Sequence, residues 1–307
     1  MPRRGGGEMI KATDLSKIFD GKKALDAINL TVEDGSIYGL VGSNGSGKST
    51  LLRLAAGIYM PDGGEITADG EKIFDNFRKK TEIAYLGDTP YFMPHATIKE
   101  LARFYRTIYP SFDNKLYNRL LEIFPLDYKA RIATMSKGMQ RQAALIMAIA
   151  SSPKYLLLDE AFDGLDPVIR KVLKSILIEG AESRDMTTVI ASHNLRELED
   201  LCDSLGLIHG GNIIFSDTVE ALKGKLHKVQ TAFTRIPEVS VFSGLDVLKI
   251  ERSGSVISMI VRGHEDEIMT YINRLSPIFS ECIEPTLEEM FVYELGVTGY
   301  DVKSIIR

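Results

Sequence analysis

Gly42-Ser43-Asn44-Gly45-Ser46-Gly47-Lys48-Ser49-Thr50 is the stretch that decides the fold of this chain. It matches the pattern G-x-x-x-x-G-K-[ST]. Ahead of it, Ser36 to Val41 is an apolar, partly β-branched run that reads as a buried strand. Behind it, Lys48 to about Gly57 reads as a helix that the glycine can cap. A strand, a Gly-rich loop and a helix in this order make a phosphate cradle. The glycines let backbone N–H groups turn onto phosphate oxygens, and the helix N-terminus adds positive partial charge. Lys48 is placed to reach the β- and γ-phosphates, and the Ser49 hydroxyl to bind Mg²⁺. A plain Gly-rich turn has no use for Lys-Ser-Thr.

A second stretch supplies the chemistry. Leu156-Leu157-Leu158-Asp159-Glu160 reads as a buried strand ending in two carboxylates. Phosphoryl transfer needs one carboxylate on the metal and a neighbour on the attacking water. Asp159 suits the first role and Glu160 the second; the competing role for the pair is a simple helix cap. Between loop and strand lies Met135-Ser136-Lys137-Gly138-Met139-Gln140, a Ser-x-Gly turn that opens a helix read over Gln140 to Ala150.

These motifs together resemble the ATP-binding subunit of ABC transporters. Six features match in the family's order. They are the loop at 42–50, Ala84-Tyr85-Leu86-Gly87-Asp88 at the Q-loop, the signature at 135–140, the Asp-Glu strand end, Asp163-Gly164-Leu165-Asp166 at the D-loop, and Ile190-Ala191-Ser192-His193 at the switch histidine. The resemblance spans about residues 9–217. It implies a P-loop NTPase core with an antiparallel β subdomain and a helical subdomain at about 90–150. It also implies ATP and Mg²⁺ as cofactors.

The family's roles carry over residue by residue. Ser43, Asn44, Gly45, Ser46, Gly47, Lys48, Ser49 and Thr50 would hold the phosphates. Phe19 stands where an aromatic stacks on adenine, or else it is a core residue. His193 would sense the γ-phosphate. Asp166 would lie at a dimer seam, and capping the helix that Pro167 opens is its other role. Ser136 and Gly138 would touch the γ-phosphate of a second copy. Ser49, Asp88 and Asp159 would attend the metal, and Lys48, Glu160 and His193 the catalysis. The partners implied are a second ATPase subunit, identical or a close paralogue, and an integral membrane permease. The place implied is the inner face of the cell membrane.

The chain departs from the family at three points. Lys137 replaces the first glycine of Leu-Ser-Gly-Gly-Gln, Met139 replaces its glutamine, and Asp88 stands for the Q-loop glutamine. None of these removes the metal ligand, the catalytic carboxylate or Lys48. Together with Pro110-Ser111-Phe112-Asp113, they resemble the subfamily that partners simple two-subunit exporters. Tyr91-Phe92-Met93-Pro94 is an apolar loop that either receives a partner's helix or packs in the core.

Composition bounds the alternatives. The 307 residues favour about two domains. Apolar content of 44% and charged content of 26% fit a globular protein. A net charge of −5 gives no general attraction to nucleic acid, and no nucleic-acid partner is expected. The longest purely apolar run, Ala143 to Ala150, falls short of the roughly 20 residues of a membrane span. Cys202 and Cys282 lack metal spacing and fit a reducing compartment. Residues 1–8 read as a flexible tail. Residues 218–307 read as a small α+β accessory domain, with strands near 228–234, 245–251, 256–261 and 280–283 and helices at 218–225, 266–275 and 287–295. The rival readings are a soluble ABC ATPase acting on a protein or nucleic-acid assembly, and a nucleotide-binding regulator with little turnover. Glu160 argues against the last.

Overall fold

A computed structural model describes residues 9–124, 126–224 and 226–290. The expected N-terminal tail at 1–8 and the end of the helix expected at 287–295 lie outside the described residues. The chain divides into two compact units, 1–216 and 217–307.

The first unit begins with β1 (Ile10–Phe19) and β2 (Lys22–Val32), two long antiparallel strands. Register shifts along β1 let this long ribbon bend without breaking. β3 (Ile37–Val41) leads into the phosphate loop and α1 (Lys48–Ala55). β4 (Gly63–Ala68) and β5 (Glu71–Lys72) complete an antiparallel sheet in the order β2-β1-β4-β5. Next come α2 (Phe77–Lys80) and β6 (Ile83–Leu86).

The helical segment holds α3 (Ile98–Ile108), α4 (Asn114–Ile123) and α5 (Lys137–Ala150). A capping box between Thr97 and Glu100 starts α3, and Asp113 caps α4. The turn Pro110–Asp113 is pinned to the end of α5. Asp113 N donates to the Ala150 carbonyl (2.8 Å), and Ser111 Oγ to the Ser151 carbonyl (2.7 Å). α5 starts three residues before the expected Gln140, because the Ser136 hydroxyl caps it by accepting from Met139 N (3.2 Å).

β7 (Tyr155–Asp159), α6 (Pro167–Arg184), β8 (Thr187–Ser192), α7 (Leu195–Leu198), β9 (Ser204–His209) and β10 (Asn212–Thr218) follow. The second sheet runs β10-β9-β3-β8-β7-β6. β6, β7, β8, β3 and β9 pair in parallel. A parallel sheet is buried on both faces, and β7 accordingly reads as an unbroken apolar run. The strand order sets four carboxyl ends in a row: Gly87-Asp88 after β6, Asp159-Glu160 at β7, Ser192-His193 at β8 and Gly42 after β3. Ligands bind at this edge of open α/β sheets.

The second unit holds α8 (Val219–Lys223), β11 (Leu226–Ala232), β12 (Asp246–Ser253), β13 (Val256–Arg262), α9 (Glu265–Arg274) and β14 (Phe279–Ile283). The strands pair antiparallel in the order β12-β13-β11-β14. α9 places Ile268 and Ile272 against Val229, Ile257, Met259 and Val261. Among the described residues, no helix is long and apolar enough to cross a membrane.

Leu157 sits at the centre of β7 with no exposed surface. Leu157→Ala is expected to lower stability by about 2–5 kcal/mol. Urea denaturation checks this, and an unchanged midpoint would contradict the packing described.

Candidate nucleotide site

The phosphate loop leaves β3 at Gly42 and folds over a turn from Ser43 to Ser46 (Ser46 N to Ser43 O, 3.2 Å). Asn44 and Gly45 are exposed at its tip, while Ser43, Ser49 and Thr50 are partly buried. Gly47 has φ 115° and sits so close to β2 that an added Cβ would stand 2.8 Å from Leu25 Cδ2. Only glycine meets both demands. Lys48 is 5% exposed. Its ammonium donates to the carbonyls of Gly42 (2.6 Å) and Ser43 (3.2 Å) and lies 3.4 Å from Glu160 Oε1.

Glu160 is the hub of the site. Its backbone has φ 50°, a left-handed conformation that costs a non-glycine residue about 1–3 kcal/mol. It is held there from two sides: Glu160 N donates to the Ala191 carbonyl (2.9 Å), and the Arg141 guanidinium donates to the Glu160 carbonyl. The carboxylate meets Lys48 through Oε1, while Oε2 lies 2.9 Å from His193 Nδ1 and accepts from His193 N (3.3 Å). Asp163 brings a third ligating side chain to the Glu160–His193 pair, with the three atoms within 4.8 Å of one another.

Asp159 has no exposed surface, and its Oδ1 has no hydrogen-bond partner among the described residues. Burial holds its carboxyl above the usual carboxylate range; a hydrogen bond from Ser49 opposes this, and the charge of Glu160 adds to it. Tyr85 donates to Oδ2 at 3.5 Å. A buried carboxylate with one open oxygen beside the Ser49 hydroxyl suits a hard divalent cation. Asp88 lies near enough for its charge to raise Asp159 further, but its own Oδ1 is engaged by Arg141 (3.1 Å).

The remaining expected residues stand apart from this hub. Phe19 is 40% exposed at the end of β1, its ring edge-on to Tyr59 at 5.4 Å between centroids. Asp166 caps α6, accepting from Val168 N and Ile169 N (3.0 Å each). Ser136, Lys137 and Met139 face solvent. Gly138 packs on the D-loop, where a Cβ would stand 2.7 Å from the Gly164 carbonyl oxygen. Among the described residues, no hydrogen bond or ion pair joins Ser136 or Gly138 to Lys48, Glu160 or His193.

Sequence reading misses two residues here. Arg141 is 9% exposed and ties the Asp88 carbonyl and carboxylate to the Glu160 backbone. Glu197 is buried and joins Arg170 (3.0 Å) to the Ser192 hydroxyl (3.0 Å), so it links α6 to the strand that presents His193. Neither stands in a quoted motif, although an arginine directly after the signature is a visible hint.

The ABC transporter family profile matches residues 25–163. The ABC transporter ATP-binding protein YtrB of Bacillus subtilis is 30% identical over 288 residues, covering 94% of this chain and 98% of the relative. This chain belongs to the ATP-binding subunits of ABC transporters. The Nod factor export ATP-binding protein I of Rhizobium etli is 33% identical, covering 96% of this chain and 94% of the relative. A solved structure described as the ATP-binding subunit of an ABC transporter superposes with a TM-score of 0.65 at 26% identity, over 70% of this chain and 92% of that one. The P-loop NTPase core, the antiparallel β sheet and the nucleotide-binding role expected from the sequence agree with these findings.

Because its folded pKa is raised, the Asp159 carboxylate is stabilising only while protonated, and its ionisation weakens the fold as pH rises through that value. At neutral pH, Asp159→Asn is therefore expected to leave the nucleotide-free protein at least as stable as wild type. The same variant is expected to lose the stabilisation that Mg-ATP gives. Thermal unfolding with and without Mg-ATP reads both effects.

Proposed function

We propose that two copies of this chain close around two ATP molecules and hydrolyse them in the presence of Mg²⁺. The cycle drives a membrane permease, with export as the direction of transport. The observation that carries this reading is the split of the site. Lys48, Glu160 and His193 converge within one chain, while Ser136 and Lys137 face solvent. Ser136 uses a lone pair to cap α5. Its O–H hydrogen remains available to donate to a phosphate oxygen. The start of α5 adds partial positive charge, and exposed Lys137 a full one. A surface that offers donors and charge to solvent is suited to a phosphate held by another copy.

Within each site the residues divide the work. Lys48 and the loop amides orient the phosphates. Asp159 and Ser49 hold Mg²⁺, which neutralises charge on the phosphates when bound. Glu160 orients and deprotonates the attacking water, and its Oε2 lies against the imidazole of His193. Phe19 offers an exposed ring for adenine. Asp166, at the N-terminus of α6, lies on the proposed seam between copies.

Three further features support a membrane partner. Tyr91 is 85% exposed and Met93 40% exposed, on the loop just before α3. Large apolar groups held out to solvent mark an interaction surface. The second is that the R. etli relative, matched along nearly its whole length, is named for export. The third is the chain's family, whose ATP-binding subunits work with transporters. In this reading the protein sits on the inner face of the membrane, residues 9–217 form the ATPase domain and 218–307 an accessory domain.

Glu160→Gln removes the base while keeping the size and polarity of the side chain. It is expected to bind ATP, lose turnover and accumulate as an ATP-dependent dimer. Light scattering after size exclusion reads the mass. A variant that stays monomeric with ATP, while wild type turns over, would contradict the shared site.

A further inference from the structure

The second unit carries a cluster of side chains that the nucleotide chemistry does not use. His227, Glu265 and Cys282 come from three elements: β11, the first turn of α9 and β14. Their ligating atoms all lie within 4.8 Å of one another. We propose that His227, Glu265 and Cys282 form a binding site for a borderline-soft divalent cation of the zinc type.

The placement follows from strand register. His227 shares a strand face with Val229, two residues on, and Val229 is a core residue under α9. Cys282 is the cross-strand partner of Val229, so it stands on the same face and diagonal to His227. α9 covers that face, and its first residue, Glu265, reaches the open end. His227 and Cys282 are both half-buried, while Glu265 is exposed.

The distances fit a metal as well as the sulfur–imidazole hydrogen bond that they also describe. Cys282 Sγ and His227 Nδ1 are 3.7 Å apart. With Zn–S of about 2.3 Å and Zn–N of about 2.0–2.1 Å, two tetrahedral ligands stand about 3.6 Å apart. The pair therefore already spans an edge of the coordination tetrahedron. One thiolate, one neutral imidazole and one carboxylate are all ligand types that zinc accepts, and three protein ligands leave a fourth position for water.

Charge points the same way. A divalent cation would balance the Glu265 carboxylate and the Cys282 thiolate that forms when it binds. On binding, the metal–sulfur bond forms and the thiol proton leaves to solvent. The bound ion would clip β11, β14 and α9 together and stabilise the second unit. Among the described residues, the other close group of ligating side chains is Glu160, Asp163 and His193 at the candidate nucleotide site, which contains no sulfur.

The full-length protein is titrated with Zn²⁺ against a chromophoric chelator, and separately with Co²⁺ followed by absorption. The expected result is a single ion per chain with thiolate-to-cobalt charge-transfer bands and intense tetrahedral bands. Cys202 is buried, so the sulfur signal reports on Cys282. Cys282→Ser should abolish the charge-transfer bands, and Cys282→Ser and His227→Gln should each weaken Zn²⁺ binding by roughly tenfold or more. Unchanged ATP binding and unchanged melting in chelator show that both variants fold. The proposal is overturned if wild type shows no sulfur band, if both variants bind Zn²⁺ like wild type, or if the cobalt signal survives Cys282→Ser and vanishes in Glu160→Gln.

Discussion

The structure turns on one constraint: β7 delivers two adjacent carboxylates to the end of a fully buried strand. Asp159 has no exposed surface, and the Glu160 side chain is 11% exposed. Buried charge is costly unless it is paired and hydrogen-bonded. The neighbouring elements answer that cost one by one. Lys48 comes from the phosphate loop, His193 from the end of β8, Ser49 from α1 and Arg141 from α5. The left-handed turn at Glu160 lets two successive residues face different partners. Asp159 keeps an oxygen unpartnered among the described residues, and its carboxyl is held high. In the proposed function, a cation at Asp159 relieves the least compensated part of this arrangement.

Much of this was legible in the sequence because the decisive signals are local. A glycine-rich loop between an apolar strand and a helix has one well-known geometry, and β7 announces itself as an apolar run that ends abruptly in charge. The order of the motifs marked His193 as a γ-phosphate sensor, and the fold sets it against Glu160. What escaped was whatever depends on segments distant in sequence. Arg141 acts only because residues 88 and 160 end neighbouring strands, β6 and β7. Gly138 reads as a phosphate contact, yet the fold also requires it as the one residue small enough to lie on the Gly164 carbonyl. β4 and β5 were missed because their polar, glycine-bounded residues carry weak strand signals. Asp88 reads from sequence as a metal-side group, and the fold adds its pairing with Arg141.

That pairing gives the variant motifs a common setting. The family position of Asp88 usually holds a glutamine, and here a carboxylate shares a guanidinium with the backbone of Glu160. α5 therefore touches three loops at once: it caps on Ser136, rests Gly138 on the D-loop and holds residues 88 and 160 through Arg141. Arg141 thus ties α5 directly to the Glu160 backbone. In the proposed dimer the exposed start of that same helix faces the other copy's phosphate, so closure of the pair and the setting of Glu160 involve a single element.

The claim that each site is shared between two copies is tested most directly by mixing two inactive variants. One carries Lys48→Ala and the other Ser136→Glu. Each alone lacks a component of both of its sites. In a mixed pair, the intact Lys48 of one chain meets the intact Ser136 of the other. The account predicts that ATPase activity reappears on mixing. Two variants that remain inactive together, while each still folds and associates with wild-type chains, would contradict it.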